Sequence, residues 1–190
     1  MRSRIGVFLG IAVMVVLTSI AGAGVSSAST DRAEFIAQAR SAGLSVAQAN
    51  GLQAKVDDYL VKTGGTQVSP NQIDLAGAVL SVTVPGESTP RRFVDGIGAY
   101  GRFHCDYQGA PAATFCAYKH QGFLGEYIQM YDCGTYRIPW GTTGSWANNQ
   151  TRGTVPVLTF WNYSTWQMPG AYSEQYLGVD WHPVISIKNC

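Results

Sequence analysis

Few side chains in this sequence could carry chemistry. Four cysteines (Cys105, Cys116, Cys133, Cys190) and three histidines (His104, His120, His182) supply its nucleophiles and soft metal ligands. Cys105, Cys116 and His120 stand at Cys-x10-Cys-x3-His, which lacks the tight cysteine pair of common structural zinc sites. Asp180-Trp181-His182 sets an acid close to an imidazole, yet no serine lies in a Gly-x-Ser-x-Gly elbow to use them. Neither His-Glu-x-x-His nor a phosphate-cradling glycine loop occurs. Glu126 and Glu174 could act as a glycosidase acid and base only if folding happened to bring them together. The inventory points to a protein with no catalytic residue, no bound metal and no cofactor. Each histidine then reads as a surface or hydrogen-bonded structural residue.

The cysteines are better used against one another. Their even number suits an oxidising compartment. Four cysteines allow three pairings; we favour Cys105 with Cys116, closing a short loop, which leaves Cys133 to pin the chain end through Cys190. Each bridge is worth ~2–4 kcal/mol, largely through the unfolded chain. The compartment agrees with the start of the chain. Arg2 and Arg4 precede an uncharged apolar run from Ile5 to Ile20, and small residues follow. Residues 1–28 read as a signal peptide cleaved after Ala28, with Ala23 as the second choice, because the apolar run is shorter than the ~20 residues of a membrane span. The mature protein is expected outside the cell, with no membrane attachment.

Without Arg2 and Arg4, the thirteen basic residues become 11, against 12 acidic ones. Such a balance gives no electrostatic reason to bind nucleic acid. All five tryptophans and nine of the ten tyrosines fall between Tyr100 and Cys190, which suggests a division of the chain. Residues 29–86 read as a small helical segment. Asp31-Arg32-Ala33-Glu34 and Ser45-Val46-Ala47-Gln48 both resemble capping boxes, the second with Leu44 placed to staple the first turn. Leu52, Val56 and Leu60 form an apolar stripe ended by Gly64-Gly65. A β-branched run, Ala78 to Val84, follows. Residues 87–99 read as a linker and contain Arg91-Arg92, a dibasic target for trypsin-like proteases. Residues 29–92 are therefore either a removable pro-segment or a permanent small domain.

Residues 100–190 read as an all-β sandwich. Turn signals at Gln108-Gly109, Gln121-Gly122, Cys133-Gly134 and Pro169-Gly170 separate short aromatic or β-branched runs. Tyr118-Lys119-His120-Gln121-Gly122-Phe123-Leu124-Gly125 fits Tyr-x4-aromatic-x-Gly and resembles the Greek-key signature of βγ-crystallin domains. A ring at Tyr118 would cover the bend, Phe123 would pack on it, and Gly125 would take a conformation that a Cβ obstructs. Trp161 and Trp166 repeat the aromatic spacing, but Met168 replaces the glycine. Gly144-Ser145-Trp146-Ala147-Asn148-Asn149, with Phe115-Cys116-Ala117-Tyr118 and Asp132-Cys133-Gly134, resembles small secreted actinobacterial proteins related to peptidase inhibitor family I36. Gly43-Leu44-Ser45, Leu52-Gln53, Gly64-Gly65-Thr66-Gln67-Val68 and Val84-Pro85-Gly86-Glu87 are similar to stretches of such secreted proteins with the same C-terminal half, so the resemblance covers most of the mature chain. It implies a βγ-crystallin-like Greek-key sandwich and inhibition of an extracellular protease, a metalloproteinase in one member of the family.

An inhibitor would present a rigid loop, and residues 108–114 and 140–145 are the candidates. The alternative is a cell-wall or glycan-binding module with antimicrobial effect, using whichever of Trp140, Trp146, Trp161 and Trp166 remain exposed. Calcium-binding crystallin motifs place Asn or Asp just before the serine equivalent to Ser145; here Trp140 to Trp146 reads Trp-Gly-Thr-Thr-Gly-Ser-Trp. Without carboxylates the site would bind calcium weakly. Calorimetry is expected to detect no micromolar calcium binding; a micromolar site would refute this reading.

Overall fold

A computed structural model describes the backbone of residues 24–30 and all atoms of residues 31–93 and 104–190. The apolar run Ile5–Ile20, the cleavage alternative at Ala23, residues 94–99 of the expected linker and Tyr100 lie outside these residues. Among the described residues two helices, α1 (Gly24–Ser41) and α2 (Val46–Thr63), precede eleven strands. These are β1 (Thr66–Ser69), β2 (Gln72–Asp74), β3 (Ala78–Ser81), β4 (Thr114–His120), β5 (Leu124–Met130), β6 (Thr135–Arg137), β7 (Thr143–Asn149), β8 (Val157–Phe160), β9 (Thr165–Gln167), β10 (Ser173–Asp180) and β11 (Val184–Lys188). They form two antiparallel sheets, ordered β1-β2-β3-β5-β4-β7-β10 and β6-β11-β8-β9. From residue 104 onward no described residue is helical.

The helix signals divide. Ser45 caps α2 as its sequence suggests: its hydroxyl accepts from Gln48 N at 3.2 Å, and the Gln48 side chain accepts from Ser45 N at 3.1 Å. Gly64, at φ 73°, ends the helix. Asp31 is not a cap, because α1 runs through it from Gly24. No glycine or proline interrupts residues 25–42, so an aspartate alone does not start a new helix there. The expected cleavage point after Ala28 also falls within α1.

The two halves of the chain do not pack as independent units. β3 pairs with β5 along Ala78↔Met130 to Ser81↔Tyr127, so β1–β3 extend the sheet built by the later strands. One apolar core runs from Leu44, Leu52 and Val56 through Leu80 and Val84 to Phe115, Ile128, Trp146 and Ile187. Residues 87–93 of the expected linker are packed rather than free. Ser88 O accepts from Gly125 N at 2.7 Å, Asn71 Nδ2 donates to Arg91 O at 2.9 Å, and Phe93 is buried in the core. The dibasic pair exposes its side chains, but its backbone is held on both sides, unlike the exposed flexible stretch that proteases prefer.

The central strands are buried on both faces, so they lack the alternation expected of a half-exposed sheet. Phe115 and Ala117 of β4 face the main core, while Cys116 and Tyr118 join Cys105, Phe123, Tyr127 and Ala147 in a second cluster. The disulfides are Cys105–Cys116 and Cys133–Cys190, the favoured pairing. The first covers that second face. Gly144 is required by close approach: a Cβ there would lie 2.1 Å from Trp181 Nε1 and 2.3 Å from Tyr118 O.

Joining the halves buries a charge. Glu126 on β5 is 2% exposed, and it meets Lys55 of α2 at 2.5 Å, Lys119 of β4 at 3.2 Å and the Thr83 hydroxyl at 2.9 Å. Burial alone would raise its pKa, but hydrogen bonds and the two ammonium groups outweigh that and hold it at about 2. A folded-state pKa below the unfolded value means stability present in full above about pH 4.5 and lost as pH falls toward 2. We expect the urea midpoint to drop across that window and Glu126→Gln to flatten the drop. Lys55→Met, which leaves the buried carboxylate under-compensated, should cost about 3 kcal/mol in urea unfolding. A pH-independent midpoint from 5 to 2 would contradict this.

Candidate functional site

The folded hairpin predicted at Tyr118–Gly125 is present. The Tyr118 ring, fully buried, packs 4.9 Å from the Phe123 ring. Phe123 and Gly125 take positive φ, 58° and 80°. A Cβ on Gly125 would sit 2.6 Å from the His120 ring, so glycine is needed. Ser145, from the neighbouring β7, ties both sides of the bend: its hydroxyl donates to His120 O at 2.7 Å and accepts from Phe123 N at 3.0 Å. Tyr118, Phe123, Gly125 and Ser145 are thus one structural unit. The degenerate repeat does not reproduce it. Trp161 and Trp166 stay exposed, while Met168, at the glycine position, is buried.

That unit carries a surface loop. The Tyr118 hydroxyl donates to Gly109 O at 2.7 Å and lies 3.1 Å from Asp106 O, gripping the loop closed by Cys105–Cys116. Asp106 and Gly109 exchange backbone hydrogen bonds, and the Asp106 carboxylate accepts from Gln108 N at 2.7 Å. Asn149 Nδ2 donates to Ala110 O at 2.9 Å. Tyr107, at the tip, is 70% exposed. The other candidate loop, 140–145, does not protrude. Trp140, Gly144 and Ser145 are buried, and the Thr142 hydroxyl donates inward to Lys119 O at 2.6 Å.

The four candidate tryptophans separate into pairs. Trp146 stacks on Phe115 at 5.9 Å and Trp140 meets Tyr59 edge-on at 6.4 Å; both are core residues and offer no face to a ligand. Trp161 is 69% exposed and Trp166 43%. They flank the β8–β9 turn, whose tip residue Tyr163 is 83% exposed. Every residue from Trp161 to Gln167 is exposed. Tyr163 sits at φ 63°, a left-handed conformation that costs an ordinary residue roughly 1–2 kcal/mol. The turn is nevertheless fixed: Tyr163 N donates to Phe160 O at 2.8 Å, and Asn162 Oδ1 accepts from Ser164 N at 3.0 Å. Composition could have singled out this hairpin, since residues 153–173 contain no Asp, Glu, Lys, Arg or His.

The groups that suggested catalysis do not assemble. Cys105 and Cys116 are bonded to each other, which removes the zinc spacing with His120. Glu126 lies on β5 and Glu174 on β10, three strands apart in one sheet. At ~4.8 Å per strand they are well beyond the carboxylate separation of a glycosidase. Asp180 accepts from His182 Nδ1 at 2.6 Å, which lowers its pKa, but the pair stands on the open surface. Burial, reinforced by Arg92, lowers that of His104. An open cleft of about 350 Å³ beside Glu126 is lined by Lys55, Thr83, Lys119 and His120, but its carboxylate is already paired with both lysines. Among the described residues no three His, Cys, Asp or Glu side chains come together as a metal site, and no helix is long and apolar enough to cross a membrane.

Iodide quenching should report the division among the tryptophans. We expect Trp161 and Trp166 to supply nearly all quenchable emission, so that a W161F/W166F variant is almost unquenched. Equal quenching of the variant and the parent would contradict the assigned burial. No family model, no curated protein and no solved structure matches the chain.

Proposed function

We propose that the chain is an exported, non-enzymatic recognition protein with a βγ-crystallin-like Greek-key domain, and that it inhibits an extracellular protease. The basic, apolar leader and the two disulfides support export. The closed Tyr118–Gly125 hairpin, locked by Ser145, supports the crystallin-like assignment.

One observation carries the inhibitor reading: the Cys105–Cys116 loop is restrained by a disulfide, by the Tyr118 hydroxyl and by Asn149, while its tip displays Tyr107. A loop already ordered before binding loses little conformational entropy in a protease cleft, and an exposed aromatic supplies an anchor for a specificity pocket. The same restraints hold the backbone after a cut and slow its release. The target class, a metalloproteinase, follows from the I36 resemblance.

A second reading, a cell-wall or glycan-binding module with antimicrobial effect, is favoured by a different feature, the exposed aromatics of the β8–β9 hairpin.

The test is titration of thermolysin-like and subtilisin-like proteases with the secreted protein. Stoichiometric inhibition of a metalloproteinase is expected, with Tyr107→Ala weakening it at least about tenfold. Full activity of every protease at excess protein would end the inhibitor reading, and unchanged inhibition by Tyr107→Ala would end the role of this loop.

A further inference from the structure

We infer that the β8–β9 hairpin is a binding site for uncharged polysaccharide, with Trp161 and Tyr163 as the stacking faces. This rests on the glycan-binding reading and names the ligand's chemistry.

Three independent features point to it. The first is display. Seven consecutive exposed residues, Trp161 to Gln167, include three large aromatics. A monomeric surface ordinarily scatters such side chains singly. Tryptophan and tyrosine present broad, rigid apolar faces with a polar rim, and they lose little rotamer freedom when a ring settles on them. The axial C–H faces of a pyranose match those surfaces.

The second is strain at the same place. Tyr163 holds a positive φ, which glycine or asparagine would adopt more readily. Its exposure means that core packing does not account for a tyrosine there. Strained residues persist where the surrounding structure fixes them, and they concentrate at functional sites. Here the Asn162–Ser164 turn bonds do the fixing, and Trp161 N is anchored to Pro183 O at 2.9 Å. The backbone that carries the aromatics is therefore ordered before a ligand arrives.

The third selects the ligand. From Gly153 to Ser173 no residue carries a formal charge, while Asn162, Ser164, Thr165 and Gln167 provide neutral amides and hydroxyls beside the rings. An anionic polymer would find no cation on the hairpin, and a basic partner would find no carboxylate. Neutral sugar hydroxyls can both donate to and accept from these groups. A protein partner would also meet exposed aromatics, but interfaces of that kind usually add arginine or a charged rim.

The experiment is retention of the intact protein on chitin and on cellulose, compared with peptidoglycan sacculi and polygalacturonate as charged probes. Binding to a neutral polymer is expected, insensitive to salt between 0.05 and about 0.5 M, since no ion pairs form. Trp161→Ala and Tyr163→Gly should each weaken it at least about tenfold. Tyr163→Gly relieves the positive φ, so its thermal midpoint should be no lower than the parent's; loss of binding then cannot come from misfolding. Retention on the charged polymers alone would overturn the assigned ligand class while leaving the glycan reading intact. No retention on any of the four would overturn both. Self-association of the parent that Trp161→Ala abolishes, without polysaccharide binding, would assign the hairpin to contact with a second copy and overturn the inference.

Discussion

The pairing of β3 with β5 around Glu126 is the constraint on which the molecule is organised. Burying a carboxylate in a sheet is tolerable only when its charge is compensated. The compensation comes from both sides of the chain: Lys55 and Thr83 precede the 94–103 segment, and Lys119 follows it. Removing residues 29–92 would leave Glu126 with one lysine, open the β5 edge and uncover Ile128 and Met130. Unpaired edges with buried apolar neighbours are aggregation hazards. The N-terminal segment is thus packed into the same sheet and core as the later strands.

From that body outward, the geometry follows a chain of short contacts. β5 holds β4, β4 holds Tyr118, and Tyr118 grips the Cys105–Cys116 loop from beneath. β7 delivers Ser145 to the same bend and carries Gly144 close against Trp181. The second disulfide ties Cys190, just after β11, to the β5–β6 connection at Cys133. Covalent and hydrogen-bonded restraints therefore converge under the Tyr107 loop, whereas the Trp161–Gln167 hairpin is held by its own turn bonds and by Trp161 N on Pro183 O. Rigidity of this kind suits a protein that recognises without rearranging.

Local features of this architecture were legible in the sequence. The Ser45 cap and the Tyr118–Gly125 hairpin are decided within about eight residues, and both appear where their side-chain chemistry puts them. Non-local features were not. Ala78–Val84 reads as a strand, but nothing within it names β5 as its partner, and an aromatic-poor stretch beside an aromatic-rich one suggested a boundary that the sheet ignores. Asp31 shows the opposite error, a cap-like residue overridden because the helix around it had no breaker. Tryptophan identity alone could not separate Trp146 from Trp161, since burial depends on whether the residue falls on a central strand, as Trp146 does, or in a surface turn, as Trp161 does. The charge-free run 153–173 was the available cue, and it bears on the surface rather than the core.

The most direct measurement of the central claim is native-state hydrogen exchange on the intact protein. If residues 24–93 complete the sheet, the amides of β3 and β5 will exchange with the same opening free energy as those of β4 and β7. If α2 and β1–β3 exchange far more readily while β4, β5 and β7 remain protected, the two halves fold separately and the account is wrong.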